Sequence, residues 1–142
     1  MYREAKALRQ AGCRLHLVYR SQFSSLNPKY GCGDELFDSV EAVDYINTGR
    51  FLAAKLRRVV DISRVMHVHN LPDWPATAVK KAEGTKIPVV LDVHDPGSLM
   101  DASIYAKPER EAFTTVDGLV AVSEGMEKWI HDTYPGGTGP IV

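Results

Sequence analysis

The 142-residue sequence predicts an α/β protein built on an open parallel sheet with helices on both faces. Two patterns predict it: strand-like apolar runs alternate with segments of helical periodicity, and the strands are almost continuously apolar, as in strands buried on both sides. The length suits one domain with a core of its own. We therefore expect a single domain over residues 1–142.

The N-terminal part predicts a helix followed by a strand. Apolar residues recur at helical spacing from Tyr2 to Ala11, and Gly12 is a typical helix end. Residues 13–19 form a strand-like run. Residues 20–35 are rich in Ser, Asn, Pro and Gly and predict a surface loop, while residues 40–46 give only a weak strand pattern.

The middle of the chain contains two strands that end in histidine. An amphipathic helix over residues 48–62 leads into the first strand, RVMHVHN at residues 64–70. Asp73 and an early proline then open a helix that runs to about residue 83. The second such strand, over residues 87–93, follows at once and leads into His94.

The C-terminal part predicts a long connection and two further helices. Residues 94–107 are long for a connection in a compact domain, and such connections are often functional. Pro108 predicts the start of a helix that runs to about residue 116, and residues 118–122 form a buried strand. Ser123 is expected to cap a last helix, whose apolar face consists of Met126, Trp129 and Ile130.

Compared with a complete doubly wound domain, the sequence looks truncated at both ends. No strand precedes the first helix, although a doubly wound sheet usually opens with one, and Ile141 and Val142 only begin a further strand. We expect the first strand of the sheet to be missing.

Composition excludes several classes of function. A formal charge of −1 and a pI near 6.5 offer no basic face for nucleic acid. The sequence has two cysteines, Cys13 and Cys32, and their spacing suggests neither a disulfide framework nor a thiolate zinc site. The polar N-terminus and the absence of a long apolar stretch predict a cytoplasmic protein, and the commonest phosphate-loop, dinucleotide and hydrolase motifs are missing.

The strand ends carry the candidate functional residues, because ligands bind beyond the carboxyl ends of parallel strands. His69 and Asn70 end the first strand and are candidate hydrogen-bond donors to a sugar or phosphate. His67 shares a face with His69, and we expect it to be a core residue beneath a helix, a role that remains open for His69 as well.

The second strand end carries the main catalytic candidate. At the rim of a cleft, His94 can donate a hydrogen bond to a developing oxyanion or a leaving phosphate. Asp95 either orients His94 or caps the following turn. Asp92 shares a face with His94 and either takes part in the site or bonds to nearby backbone.

A third candidate region is the start of the last helix. Ser123 and Glu124 are positioned to line a cleft, with an ordinary cap and a solvated acid as the alternatives. In another interpretation, His67, His69, Asp92 and His94 together bind a metal ion. Their spacing matches no zinc motif, and we expect no metal at this site.

In order and spacing, four stretches carry a family resemblance over nearly the whole chain. The sequence resembles the N-terminal half of a GT-B glycosyltransferase of the retaining family 4, in which two Rossmann-like domains face each other across a cleft. The matching stretches are AKALRQAG at residues 5–12, VMHVHN at 65–70, PVVLDVHD at 88–95 and EAFTTVDGLVAVSE at 111–124.

The resemblance implies roles for four of the site residues. His94 would lie beside the donor sugar at the reaction centre, and His69, Asn70 and Ser123 would line the acceptor side. The reaction would move a glycosyl group from a nucleotide-sugar to an acceptor hydroxyl with retention, without a metal or other cofactor. Residues 20–35 and 96–107 would be the loops that contact a sugar or lipid-linked acceptor, with peripheral membrane contact through the first helix as an option.

The resemblance also implies that a donor-binding C-terminal domain is absent from these residues, so we expect the isolated chain to be inactive. Two rival functions remain open. One is a non-catalytic Rossmann-like binding module or a subunit that pairs with a separate donor domain. The other is a metal-dependent hydrolase built on the histidines and Asp92.

Overall fold

A computed structural model describes residues 2–20, 34–43, 62–69, 73–81, 87–135 and 139–142. The chain divides into two compact units, Met1–Lys55 and Leu56–Val142, which are described separately. Both units contain parallel strands accompanied by helices, so the predicted α/β class is confirmed.

The first unit follows the predicted order of helix, strand and strand. Helix α1, Tyr2–Gln10, ends at Gly12, whose φ of +84° suits glycine because it lacks a side chain. Strand β1, His16–Arg20, pairs in parallel with β2, Ser39–Val43. The weak strand pattern therefore marked a real strand. The predicted loop over residues 20–35 lies mostly outside the described residues, which resume with a short 3₁₀ turn at Asp34–Leu36.

The second unit contains a three-stranded parallel sheet in the order β3–β4–β5. Strand β3 is Met66–His69, β4 is Val89–Val93 and β5 is Gly118–Ala121. Ile141 forms an isolated parallel bridge to Leu119 of β5, which places the predicted strand beginning beside this sheet.

Burial along β4 separates the two faces of that sheet. Val89, Leu91 and Val93 are fully buried, and these alternate positions form the apolar side of the strand. Asp92 and His94 occupy the intervening positions. The remaining core comes mainly from three helices, α2 at Trp74–Lys81, α4 at Ala102–Thr115 and α5 at Glu124–Thr133, through Ala76, Val79, Ala112, Phe113 and Ile130.

The prediction of a long connection over residues 94–107 was wrong. A short helix α3, Gly97–Met100, fills part of it, and α4 begins at Ala102 rather than at Pro108. Asp101 caps α4, since its side chain accepts a hydrogen bond from the Ser103 amide at 2.9 Å. Pro108 consequently lies inside α4, and the proposed acceptor loop at 96–107 is largely helical.

A buried carboxylate holds α3 against α4. Glu109 of α4 is fully buried, and its oxygens accept hydrogen bonds from the Ser98 amide at 3.0 Å and the Ser98 hydroxyl at 2.5 Å. The hydroxyl of Tyr134, just after α5, donates a third. These bonds connect α3, α4 and the residue that follows α5.

Two other predicted features lie partly or wholly outside the described residues. Most of the helix predicted over residues 48–62 lies outside them. The predicted end of α2 near residue 83 also lies outside them, because the described part of α2 ends at Lys81. In the parts of the chain that are described, no helix combines the length and apolar character needed to span a bilayer.

Candidate functional site

Two neighbouring strands bring four polar side chains to one face of the sheet. His67 and His69 are two residues apart on β3, and Asp92 and His94 are two residues apart along β4 and its end. The register pairs His69 with Asp92, and residues paired across parallel strands share a face. Local alternation and strand register together assemble the cluster.

Asp92 is the centre of this His–Asp cluster, which we define as His67, His69, Asp92 and His94. Its side chain is 3% exposed, and Oδ2 lies 2.9 Å from His69 Nδ1 and 2.8 Å from His94 Nε2. A carboxylate only accepts, so His94 donates its Nε2–H to this oxygen, and the neutral His94 ring then has its acceptor nitrogen at Nδ1. His69 Nδ1 lies within ion-pair distance of the same oxygen.

The three imidazoles form a row. The rings of His67 and His69 stack with centroids 4.6 Å apart, and those of His69 and His94 lie 6.0 Å apart at a similar angle. The side chain of His67 is 32% exposed, so the expectation that it is a core residue was wrong. His67 lies on the less buried face of the sheet, where its ring stacks on that of His69.

The cluster has clear chemical capacity. A buried carboxylate next to an imidazole stabilises positive charge on the ring and raises its strength as a hydrogen-bond acceptor when neutral. The side chain of His94 is 45% exposed, so a ligand has access to it. The site can therefore bind a hydroxyl or a phosphate through hydrogen bonds and can stabilise a positive charge that develops on a ligand.

The other candidates lie near the same end of the sheet or outside the described residues. Asp95 is exposed directly beyond β4, and Ser123 and Glu124 are exposed beyond β5. The Ser123 hydroxyl accepts a hydrogen bond from the Met126 amide at 3.2 Å, so it serves as the cap of α5. Asn70 lies outside the described residues.

Sequence reasoning left open the role of Asp92. Bonding to nearby backbone was the alternative, whereas the structure gives it two histidine partners on two strands. The signal available in the sequence was the D-x-H spacing, which places both side chains on one face of a strand. The partner on β3 depends on strand register, which no local pattern contains.

The sequence matches the family model for Glycosyltransferase Family 4 over residues 1–141. The chain belongs to this family. Comparisons with curated proteins and with solved structures gave no match. Membership confirms the resemblance found in the four sequence stretches and supports glycosyl transfer as the general function of the family 4 domain.

Proposed function

We propose that this family 4 domain forms the acceptor side of a retaining glycosyltransferase, which moves a glycosyl group from a nucleotide-sugar to an acceptor hydroxyl. The family match over residues 1–141 is the observation that carries the proposal. The donor-binding side comes from a second Rossmann-like domain, in cis or in trans. The acceptor is a sugar or a lipid-linked sugar, reached from the cytoplasm with peripheral membrane contact as an option.

His94 is the proposed catalytic residue. Its position after β4 is the usual ligand side of a parallel sheet, and its side chain is exposed enough to reach a substrate. With the proton on Nε2 held by Asp92, Nδ1 accepts a hydrogen bond from a hydroxyl of the donor sugar.

Asp92 is the proposed positioning residue. Its carboxylate enriches the electron density of the His94 ring, which then stabilises the positive charge that develops on the sugar in an oxocarbenium-like transition state. His69, Asn70, Asp95, Ser123 and Glu124 are proposed to line the acceptor side. The diphosphate charge is met by protein donors and helix N-termini, and the proposal needs no metal in the reaction.

The test measures release of nucleoside diphosphate from a panel of nucleotide-sugars by the domain assembled with its donor side. His94→Ala should lower kcat by roughly 100-fold, the cost of removing one stabilising group at a transition state. Asp92→Asn should lower kcat less, because an amide still bonds the ring but lacks the charge. His131→Ala is the matched control, since His131 is an exposed histidine on α5.

Two outcomes would contradict this proposal. One is a kcat for His94→Ala equal to that of His131→Ala. The other is turnover by the purified 142-residue chain that His94→Ala abolishes, because the reaction would then need no separate donor side. Acceptor binding by a form that shows no transfer would instead favour the non-catalytic binding module.

A further inference from the structure

We propose that His67, His69 and Asp92 form a binding site for a divalent first-row transition-metal ion. One potential ligand atom from each of the three residues lies within 4.8 Å of the other two. The residues come from two adjacent strands, so backbone pairing rather than a loop sets their spacing. This site shares His69 and Asp92 with the site proposed above, and its test measures metal binding rather than glycosyl transfer.

The separations match those between ligands of one ion. Ligand nitrogens and oxygens lie about 2.0 to 2.2 Å from Zn²⁺, so two of them on one ion are roughly 3 to 4 Å apart. His69 Nδ1 is 2.9 Å and His67 Nε2 is 4.0 Å from Asp92 Oδ2. The three ligand atoms are therefore close enough to bind one ion once the side chains rotate towards it.

Two polar groups of the cluster are not satisfied by the described residues. His67 Nε2 lies 4.0 Å from Asp92 Oδ2, which is too far for a hydrogen bond, and the His67 ring stacks on that of His69. Asp92 Oδ1 is buried, and no partner for it lies among the described residues. Burying a carboxylate oxygen without a partner is costly, and a cation beside it removes that cost.

The donor set selects the kind of ion. Two imidazoles and one carboxylate suit Zn²⁺, Co²⁺ and their neighbours, whereas Mg²⁺ requires oxygen ligands. The hydrogen bond from His94 to Asp92 at 2.8 Å supplies the outer contact that commonly orients a ligating carboxylate. His94 thus supports the site without being a ligand.

The experiment titrates the metal-free 142-residue chain with Zn²⁺ by calorimetry and with Co²⁺ by visible absorption. We expect one ion per chain, Co²⁺ absorption bands typical of mixed nitrogen and oxygen ligands, and no comparable binding of Mg²⁺. His67→Ala and Asp92→Asn should each weaken Zn²⁺ binding by roughly tenfold or more. His131→Ala should bind Zn²⁺ as the unchanged chain does.

Since His67 is partly exposed, His67→Ala is expected to fold normally, with an unchanged melting temperature in the absence of metal. This variant therefore decides the proposal even if Asp92→Asn does not fold. Zn²⁺ binding by His67→Ala that equals binding by His131→Ala would overturn the site. Binding of Mg²⁺ as tight as that of Zn²⁺, or a stoichiometry well below one, would overturn it equally.

Discussion

Tyr134→Phe removes one hydroxyl from the buried Glu109 network while leaving the aromatic packing in place. Tyr134 is 3% exposed, and its hydroxyl donates to the fully buried Glu109. Its ring packs edge-on against Phe113 and Trp129, with centroids 5.2 and 5.9 Å away, and phenylalanine preserves both contacts. The substitution therefore tests the hydrogen bond alone.

The expected loss of stability follows from the charge of the acceptor, the Glu109 carboxylate. A hydrogen bond to a charged group contributes about 1.5 to 3 kcal/mol to stability. Glu109 keeps two hydrogen bonds from Ser98, so the lower end of that range applies. We expect Tyr134→Phe to lower the free energy of unfolding by about 1.5 to 2 kcal/mol.

Urea unfolding followed by tryptophan fluorescence measures this change. The chain has two tryptophans, Trp74 and Trp129, and both belong to the unit Leu56–Val142 that contains the network. Tyr105→Phe is the matched control, because no hydrogen bond joins its hydroxyl to the described residues. A loss for Tyr134→Phe no larger than that for Tyr105→Phe would refute the argument.

The Tyr134 hydroxyl also makes the stability of the folded chain depend on pH. Burial and the hydrogen bond to Glu109 raise the pKa of Tyr134 from 10.0 to about 12. The folded state therefore holds the proton more tightly than the unfolded state, so this stabilisation is complete below pH 10.0 and is lost as the pH rises towards 12. Over that interval the stability difference between the unchanged chain and Tyr134→Phe should shrink, as measured by the same urea titrations.

Two further predictions concern packing and acid stability. A Cβ added to Gly97 would lie 2.7 Å from Tyr105 Cγ. A Cβ added to Gly125 would lie 3.8 Å from its nearest neighbour, Ser123 Oγ. In thermal melts, Gly97→Ala should therefore destabilise the protein by about 1 to 3 kcal/mol and Gly125→Ala should stabilise it by up to about 1 kcal/mol; equal effects would contradict the packing. Lys80 and the Val89 amide lower the pKa of Asp117 below 3.8, so its stabilisation is present above that pH and is lost below it. Asp117→Asn should flatten the loss of stability measured in acid, and an unchanged acid profile would exclude this role.

Much of the strand framework could be predicted from local patterns. Alternation places His67 with His69, and Asp92 with His94, on shared faces without any knowledge of tertiary structure. The meeting of the two pairs could not be predicted, because it depends on β3 lying beside β4 in one particular register. The contact of His69 and His94 with one oxygen of Asp92 thus depends on tertiary structure, although each pair of side chains on one strand follows from local sequence.

The segment after β4 shows where local signals mislead. Pro108 is typical of a first helical turn, yet α4 begins six residues earlier at a cap formed by Asp101. Glu109 lies among charged neighbours in sequence, which favours a solvated position, but three hydrogen bonds make its full burial tolerable. Those partners come from other segments and leave no local pattern.

The sharing of one carboxylate by two imidazoles has an evolutionary consequence. Replacing Asp92 alone removes the carboxylate that His69 and His94 share, whereas replacing either histidine alone leaves the carboxylate with one partner fewer. Single substitutions are therefore costly, and coordinated ones are less so. In related sequences these three positions should co-vary, and lineages that lose the aspartate should show altered residues at both histidine positions.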